Sequence, residues 1–509
     1  MSDSRDPERY SIDDMMDRLK TNPSDSDQEE KKLVIRADGS KAVRVKRRKR
    51  RTNQDKDKSR LRRQKIRMIQ IAAVCGLVML VLVAVGFLTV YVNGAAFREE
   101  VKVKIEETSG ANVEMAQFRM NPTSANAGSL KLDWPNGNML KSLTLGGLSA
   151  KVSPISIVGD VLDGQEVSAD RGSLALRLPE AGGEMRFSEL IDGEPTIRFG
   201  EYTIRDFRFH VEDAGGRKLI DVLESEAAFI PPNIANKPQL LLARGKVSIN
   251  GWPRFVLDRA HIEFFDGKAE FVGLRLRNDV DSSGVLELQG IFDPYANKPS
   301  TLEVSTESFP LLGLIGDEFG NFFSGRIDVG LDSPAGVLAI QCGEVPSVAL
   351  SMPFRNALAS PMQVSDFPFL FGLSQTLGDE WFSQPAFLDG VSGKIRRVNR
   401  QVIMEDLDLS FKGRMAIKGV VVLDESKQLS GKLRVGVTNG MIKAANNKVL
   451  DRMFGGMDDG FRWMDVDISG SASAPKDNFR QIYEAVLSSE QSEPESSKVP
   501  TFDQLTQPR

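Results

Sequence analysis

From residue 101 onward, apolar and polar positions alternate with a period of two, as half-buried strands require. The pattern is clearest in Phe207–Val211, Leu174–Leu178 and Leu407–Phe411. Further segments of this kind lie at residues 274–277, 286–289, 415–423 and 433–437. Such alternation indicates antiparallel meanders with one apolar face and one polar face.

Turn residues separate these segments, and a few short apolar stretches between them have helical spacing. The predicted turns are Asp213–Gly216, Asp266-Gly267, Asp293-Pro294, Asp424–Lys427 and Thr438-Asn439-Gly440. The predicted helices are Leu311–Phe319, Leu370–Leu377, Lys443–Phe454 and one starting at Asp477 with Phe479, Ile482, Tyr483 and Val486 on one face. The predicted fold class is mainly β, a long curved antiparallel sheet with a few short helices after an N-terminal transmembrane helix.

One segment departs from alternation, because Ile71–Val92 contains no charged residue. As a helix it would be about 33 Å long, enough to cross the hydrocarbon core of a bilayer. A cleaved signal peptide would have a shorter apolar region close to the N-terminus. Small residues at Gly94-Ala95-Ala96 leave cleavage as an alternative, and a buried core helix is another. The favoured interpretation is an uncleaved anchor.

The charges around this segment predict its orientation. Between Lys41 and Arg67 there are fifteen Lys and Arg residues and only two acidic ones. Beyond the apolar segment the nearby basic residues are Arg98, Lys102 and Lys104. Since basic residues collect on the cytoplasmic side, the N-terminus is predicted to be cytoplasmic and the bulk of the chain exported.

This topology gives four predicted regions. They are a disordered cytoplasmic tail (1–67), a transmembrane helix (68–93), a periplasmic β-rich region (94–487) and a disordered C-terminal tail (488–509). Within the first tail, Ser11–Leu19 has the spacing of a short amphipathic helix. That helix would be a docking peptide for a cytoplasmic partner, with a fluctuating turn as the alternative.

Charge restricts the classes of binding partner, and the cysteine positions restrict the expected disulfides. The first 67 residues carry a net charge of about +9 and the remainder about −13, counted from the sequence. An acidic exported region argues against nucleic acid as its partner. The basic cluster Lys46–Arg51 has no interleaved aromatic residues, so anionic lipid headgroups are its predicted counter-charge. Cys75 and Cys342 are not expected to pair, since Cys75 lies in the apolar segment.

Residues that could carry chemistry are sparse. The two histidines, His210 and His261, lie on the polar side of alternating strands and lack the spacing of a metal site. The carboxylate neighbours Asp458-Asp459, or Glu224 with Glu226, would suit a glycosidase, but such neighbours arise by chance in an acidic chain. Gly146-Gly147 and Gly455-Gly456 lack the pattern of a phosphate-binding loop. We therefore predict no enzyme, cofactor, catalytic residue or metal ligand.

A weak internal repeat, called the internal echo below, consists of two similar stretches that start about sixty residues apart. Phe309–Phe319 is followed by Ser324–Ile327, and the similar stretch Phe367–Trp381 is followed by Ser392–Ile395. The repeated unit would be a short helix that covers a set of strands. Only two copies are visible, whereas repeat architectures usually need about three.

Two stretches resemble the AsmA family. Ile105–Gly110 leading to Val113 is similar to the family's opening helix and first strand. The second stretch is a succession of glycine-started strands: Asp406–Leu409, Gly413–Ile417, Gly419–Asp424, Gly431–Val435 and Asp465–Gly470 before Pro475. The likeness is good over residues 391–475 and loose over 101–390. It implies an inner-membrane protein with a periplasmic body that moves or regulates phospholipid along an apolar groove.

From these observations we predict a membrane-anchored periplasmic protein that handles phospholipid for envelope biogenesis. Its partners would be membrane lipid, anionic headgroups at the basic cluster, and envelope proteins. One alternative is a non-enzymatic scaffold whose sheet packs closed and recruits partners. Another is a regulator that couples the long tail to an exterior sensor. An apolar strand face suits an open groove and a closed core equally well.

Overall fold

The computed structural model describes residues 33–35, 37–39, 41–43, 54–121, 123–153, 161–178, 197–213, 215–233, 236–294, 296, 298–331, 333–342 and 347–491. The chain divides into two compact units, Met1–Leu82 and Val83–Arg509. The predicted docking peptide at Ser11–Leu19, the basic cluster Lys46–Arg51 and the C-terminal tail after Gln491 lie outside the described residues.

The first unit contains a small hairpin, in which β1 (Leu33–Ile35) pairs with β2 (Lys41–Val43), within the tail that composition predicts to be disordered. Helix α1 (Gln54–Val92) starts in this unit and ends in the second. Its start precedes residue 68, where the apolar pattern places the transmembrane helix. Lys, Arg and Gln are strong helix formers, and extending an existing helix is favourable. The helix of the apolar segment therefore extends back through the basic segment that precedes it.

The second unit has seven short to medium helices among its described residues. They are α2 (Ala95–Ser109), α3 (Leu312–Ile315), α4 (Asp317–Gly320), α5 (Pro368–Leu377), α6 (Asn439–Ala444), α7 (Lys448–Met453) and α8 (Phe479–Gln491), with a 3₁₀ turn at Glu380–Ser383.

Most of the second unit is β-structure, which confirms the predicted fold class. The first strands are β3 (Asn112–Ala116), β4 (Arg119–Asn121), β5 (Ser124–Asp133), β6 (Leu140–Val152), β7 (Leu162–Arg177), β8 (Ile197–Glu212), β9 (Lys218–Ile230), β10 (Gln239–Ala243), β11 (Lys246–Ile249), β12 (Phe255–Phe265), β13 (Lys268–Asn278), β14 (Val285–Phe292) and β15 (Ser300–Pro310). The later strands are β16 (Phe323–Ser324), β17 (Arg326–Val329), β18 (Gly336–Gln341), β19 (Ser347–Asn356), β20 (Met362–Val364), β21 (Ala386–Phe387), β22 (Gly390–Val398), β23 (Gln401–Phe411), β24 (Met415–Leu423), β25 (Leu429–Thr438), β26 (Met457–Asp458), β27 (Phe461–Ser471) and β28 (Ala474–Asp477).

Strand pairing largely follows chain order and builds one long sheet from β3 to β28, which does not include β16, β20 and β21. Several strands are interrupted: β10 and β11 both pair with β9 and with β12, and β17 and β18 both pair with β15 and with β19. At each interruption four strands pair in a closed cycle: β9, β10, β12 and β11 in the first case, and β15, β17, β19 and β18 in the second. Between described residues, no ladder joins the first strands to the last, so the sheet has two ends.

All neighbours in this sheet are antiparallel except β7 and β8, which pair in parallel. The alternating sequence pattern predicts antiparallel strands throughout and misses this pair. Parallel neighbours need a longer crossover than a hairpin. The connection here, residues 179–196, lies outside the described residues.

Strand positions and most turns match the prediction. The Phe207–Val211 segment lies in β8, and Leu407–Phe411 ends β23. Asp266 and Gly267 join β12 to β13 with φ of 46° and 74°, the backbone that a two-residue hairpin turn requires. The predicted turn at Thr438-Asn439-Gly440 is wrong, since α6 begins at Asn439. Lys443–Phe454 is likewise not one helix, because α6 ends at Ala444 and α7 begins at Lys448.

Parts of the sheet that are far apart in sequence touch. Asn250, in the β11–β12 connection, donates its side-chain amide to Oδ1 of Asn399 in the β22–β23 turn at 2.7 Å. Trp252 donates Nε1–H to the Asn399 carbonyl at 2.8 Å. Arg397 is buried, lies over the Trp252 ring, and donates to the Leu314 and Gly251 carbonyls. These bonds join the β11–β12 connection to the β22–β23 turn, and Trp252 belongs to the main apolar core.

Candidate binding cavity

Helix α1 contains a segment that can span a membrane. Ala72–Val92 is 21 residues long, has a mean hydropathy of 2.8, and has none of its most apolar window buried. It is the one such helix in the part of the chain that the structure describes. Cys75 is exposed on it. Length and composition therefore provide a candidate single-pass anchor.

The last turns of this helix pack on the sheet. Val92 is fully buried in an apolar cluster with Phe97, Phe118 and Phe199, and Leu88 packs against the same cluster. Asn93 follows directly and fixes the helix end to the edge of the sheet. Its side-chain amide donates to the Met120 carbonyl at 2.7 Å and its Oδ1 accepts from the Met120 N–H at 3.0 Å.

Helix α2 then lies across the first strands. Phe97 and Val101 face the sheet four residues apart and are buried, which is the spacing of one helical face. The helix ends at Gly110, whose φ of 66° provides the left-handed cap that glycine adopts readily. Trp134 donates Nε1–H to the Ser109 carbonyl at 2.8 Å, and Glu106 Oε1 accepts from the Val113 N–H at 3.2 Å. Both ends of α2 are thus fixed to the sheet.

A cavity of about 290 Å³ lies between α2 and the inner face of strands β3–β8. Its lining is almost entirely apolar. The lining residues are Val101, Ile105, Thr108, Ser109, Met115, Phe118, Ala125, Asn126, Ala127, Leu130, Leu132, Leu143, Leu145, Leu148, Ala150, Val152, Leu162, Val167, Ile197, Phe199 and Tyr202. None of these side chains carries a charge.

The shape of this cavity follows from small residues on β5 and β6. Ala125, Ala127 and Ala150 line the cavity and pack against the apolar cluster that contains Phe97 and Val101 of α2. Leu143 and Leu145 are only half-buried, so the cavity is open on one side. Burial raises the pKa of the Tyr202 phenol, which is hydrogen-bonded to the Phe199 backbone. At neutral pH the site is therefore an uncharged apolar trough, which favours an apolar ligand over water.

In the later part of the sheet, helices α3, α4 and α5 and the segments beside them bury a group of phenylalanines, several of which touch one another. These are Phe309, Phe319, Phe322, Phe323, Phe367 and Phe369, together with Phe382 and Phe387. We call strands β3–β8 with α2 the open region, and strands β14–β28 with α3–α8 the closed region.

The internal echo corresponds to this helical cover. The first copy forms α3 and α4, and its Ser324–Ile327 stretch lies in β16 and β17. The second copy forms α5 and the 3₁₀ turn, and its Ser392–Ile395 stretch lies in β22. Strands β17 and β22 both pair with β19. Strands β16 and β21 flank β20 in a separate three-stranded sheet.

The structure assigns the two histidines to separate strands on the polar side, each beside a glutamate. His210 Nε2 lies 3.1 Å from Glu212 Oε1, and Lys141 Nζ lies 2.6 Å from the other oxygen of Glu212. His261 Nε2 lies 3.6 Å from Glu263 Oε1. Within the described residues, no three His, Cys, Asp or Glu side chains come together as a metal site would require.

The structure places the carboxylate neighbours at exposed positions. Glu224 is paired with Lys246 at 3.1 Å, and Glu226 with Arg244 at 3.2 Å, and all four side chains are well exposed. Asp458 and Asp459 are exposed at the β26–β27 turn. Glycosidases need two carboxylates that face one substrate, and neither set of neighbours lines the cavity described above.

The other residues singled out in the sequence have structural positions. Gly146-Gly147 lies within β6, and Gly455-Gly456 follows α7. Burial raises the pKa of the Cys342 thiol to about 11, and this side chain packs against an apolar cluster that contains Leu178 and Leu219. A thiol with so high a pKa is unreactive at neutral pH.

Sequence reasoning missed the cavity itself. Its signal was present in two places: alanines at inner-face positions of β5 and β6, and the apolar spacing of Phe97, Val101 and Ile105 just after the span. Neither pattern alone distinguishes a cavity from a packed core. Recognising it requires knowing that α2 packs in the same apolar cluster as the alanines.

No protein-family model matches the chain, and no curated protein matches it. The resemblance to the AsmA family therefore rests on the residues quoted for it. It contributes to a proposal and does not establish membership.

Proposed function

We propose that this chain is a single-pass membrane protein whose sheet handles phospholipid acyl chains at the membrane surface. The observation that carries the proposal is the uncharged apolar cavity beside the end of the apolar helix. Leu88 and Val92 belong to the candidate span, and they pack in the same cluster as the cavity residues Val101 and Phe118. A chain leaving the adjoining leaflet would meet the cavity directly.

The energetics suit reversible capture. A water molecule's share of liquid volume is about 30 Å³, and a methylene group is of similar size, so the cavity accommodates roughly ten methylene groups. At about 0.8 kcal/mol per methylene, their burial contributes about 8 kcal/mol before ordering costs. Those costs leave an affinity from which a lipid can be released.

The proposed orientation rests on charge. The basic stretch before the span favours a cytoplasmic N-terminus, and the acidic remainder would then lie in the periplasm of a double-membrane bacterium, at the inner membrane. Anionic headgroups would neutralise the basic cluster Lys46–Arg51. The resemblance to AsmA-like proteins supports the same location and a role in envelope biogenesis.

A scaffold is the second candidate function, and the closed region favours it. There the inner face is filled by the chain's own side chains, such as Phe319, Phe369 and Leu433, which are fully buried. A groove along the whole sheet would need that face open. The closed region would then recruit envelope proteins while the open region holds lipid.

Lipid content tests the proposal. The full chain would be purified into an amphipathic polymer and its organic extract analysed by mass spectrometry. We expect lipid with a long acyl chain in the wild-type extract and at least tenfold less of it in Ala150→Trp, which fills the cavity. Ser149→Trp is the matched control, because Ser149 is the neighbouring exposed residue. Equal lipid in all three proteins would contradict the proposal.

Orientation is tested separately with protease. Added to intact spheroplasts, it should digest the region after residue 97 and leave the N-terminal tail intact. Digestion of that region only after lysis would contradict the proposed topology without bearing on lipid binding.

A further inference from the structure

Three features of the cavity indicate a narrower class of ligand than phospholipid in general: its volume, the fixed position of α2 and its lack of charge. The inference drawn from them rests on the proposed function. We propose that the cavity holds one acyl chain at a time and does not distinguish headgroups. It would thus take long-chain monoacyl compounds, such as a fatty acid or a lysophospholipid, in preference to an intact two-chain phospholipid.

The first argument is volume. At about 290 Å³ the cavity lies at the lower limit of the usual range of ligand pockets. Roughly ten methylene groups fill it. Two chains side by side would need about twice that volume. The second chain of a phospholipid would therefore remain outside, where its contact with water is unfavourable.

The second argument is the fixed position of α2. A wider cavity would require this helix to move away from the sheet. Its start follows Asn93, which makes two hydrogen bonds to Met120, and its end is held through Ser109 and Glu106. With both ends of α2 fixed, the cavity keeps its volume of about 290 Å³, which suits one chain.

The third argument is charge. Selection of an anionic headgroup needs a free cation, usually Arg or Lys. No charged side chain lines the cavity. Lysines on the elements that form it are paired: Lys102 with Glu99 at 3.5 Å, Lys104 with Glu100 at 3.1 Å, and Lys151 with Glu166 at 2.6 Å. The headgroup would lie in solvent, and its charge would contribute little to affinity.

The polar groups in the lining are already satisfied within the protein. Ser109 Oγ donates to the Ile105 carbonyl at 2.7 Å and accepts from the Ala111 N–H. Thr108 donates to the Lys104 carbonyl at 2.7 Å. These hydroxyls bond to the helix backbone, so they do not reserve a place for a polar group of the ligand. Recognition thus depends on the apolar chain.

Photo-crosslinking of the full chain tests this inference. Four probes would carry the same sixteen-carbon chain with a terminal diazirine: the free fatty acid, lysophosphatidylcholine, lysophosphatidylglycerol, and a phosphatidylcholine with a second, ordinary chain. Each would be delivered from cyclodextrin to the protein in an amphipathic polymer. Labelled peptides would be mapped and quantified by mass spectrometry.

We expect the three single-chain probes to label peptides of β5–β8 and α2 to within twofold of each other. The two-chain probe should label them at least fivefold less. Ala150→Trp should reduce labelling at least tenfold, Ala127→Leu should reduce it by a smaller factor, and the exposed control Ser149→Trp should leave it unchanged. Mapping on the wild-type protein gives a result even if a variant does not fold.

Two results would overturn this inference while the proposed function stands. One is labelling by the two-chain probe at the level of the single-chain probes, in a form that Ala150→Trp abolishes. The other is a preference of tenfold or more for one headgroup. If none of the probes labels the cavity peptides, the proposed lipid-handling function fails as well.

Discussion

The open and closed regions belong to one sheet and share one alternating pattern, yet they bury their inner faces to different extents. In the closed region, Leu433, Val435 and Val437 on β25 are fully buried. In the open region, Leu143 and Leu145 on β6 are only half-buried. Two features differ: the inner-face side chains, which are small at Ala125, Ala127 and Ala150 of the open region, and the elements that cover them.

The covering elements explain the difference. The closed region is covered by α3, α4 and α5 with the phenylalanines on and beside them, and by the β11–β12 connection through Asn250 and Trp252. The open region is covered by α2, with two buried apolar residues, Phe97 and Val101, and by the last turns of α1 through Leu88 and Val92. Burial of the Arg397 guanidinium lowers its pKa to about 10, so the arginine remains charged at neutral pH and binds its carbonyl partners as a cation.

The largest expected effect comes from the same substitution in the two regions. Leu433→Ala removes a fully buried side chain from a packed core, and we expect it to lower the free energy of unfolding by about 2–5 kcal/mol. Leu145→Ala removes a half-buried side chain beside an existing cavity, and we expect about 1 kcal/mol or less. Guanidinium unfolding of the full chain in an amphipathic polymer, followed by tryptophan fluorescence, measures both.

The pair of variants also separates stability from binding. Leu145→Ala should change labelling by the single-chain fatty-acid probe, because it alters the cavity wall. Leu433→Ala should leave that labelling unchanged at temperatures where the protein is folded. Equal destabilisation by the two substitutions would show that the open region is packed as tightly as the closed one.

Much of this comparison was predictable from sequence and part was not. The strands were predictable because alternation along β8 or β23 is a local property of the chain. The parallel pairing of β7 with β8 was not, because pairing direction depends on the connection and on distant contacts. The α6–α7 break was also missed, since Asn447, which caps α7 by accepting from the Val449 N–H, sits inside a stretch with helical spacing. The cavity depends on which helix crosses which strands, and local periodicity does not contain that information.

A second prediction concerns how the closed region holds its helices. Asp477 accepts hydrogen bonds from the Phe369 N–H of α5 at 2.5 Å and the Phe479 N–H of α8 at 3.0 Å, so one carboxylate caps two helices. Asp477→Ala should lower the free energy of unfolding by about 1–3 kcal/mol, the sum of two lost caps. Asp477→Asn keeps an acceptor oxygen and should have a smaller effect. Denaturant unfolding at neutral pH compares them.

The same carboxyl should also make stability depend on pH. Burial raises the pKa of Asp477 above its ordinary 3.8, in spite of the two N–H donors that favour the anion. A raised pKa means that the folded protein holds the proton more tightly, so stability from this group falls as pH rises from 3.8 through the folded-state pKa. Asp477→Asn should remove that slope. An identical slope in the wild type and in Asp477→Asn would assign the dependence to other groups.

A third prediction tests how the open region is fixed at the end of the span. Asn93→Ala removes both hydrogen bonds to Met120 and should cost about 1–2 kcal/mol. It also uncovers the edge of β4, and exposed strand edges promote association between chains. We expect increased chemical crosslinking between copies in nanodiscs. Asn126→Ala is the control. Asn126 lies on β5, which pairs with the inner side of β4, so this substitution leaves the outer edge of β4 covered.

The smallest expected effect comes from the polar side of the open region. Burial of the Glu212 carboxyl tends to raise its pKa, but the hydrogen bond and charge of Lys141 outweigh burial, and the pKa is lowered from 4.5. A lowered pKa stabilises the folded protein above the unfolded-state value, and this contribution is lost as pH falls through the folded-state pKa. Lys141→Met should therefore cost about 0.5–1 kcal/mol at pH 7 and less at pH 3, because the pair links β6 and β8 at a partly exposed position. Single-chain probe labelling should not change, since Lys141 lies outside the cavity lining. A loss of labelling in Lys141→Met at pH 7 would mean that the polar side of the sheet also controls the width of the cavity. The inner face of the open region would then depend on its outer face, contrary to what the structure indicates.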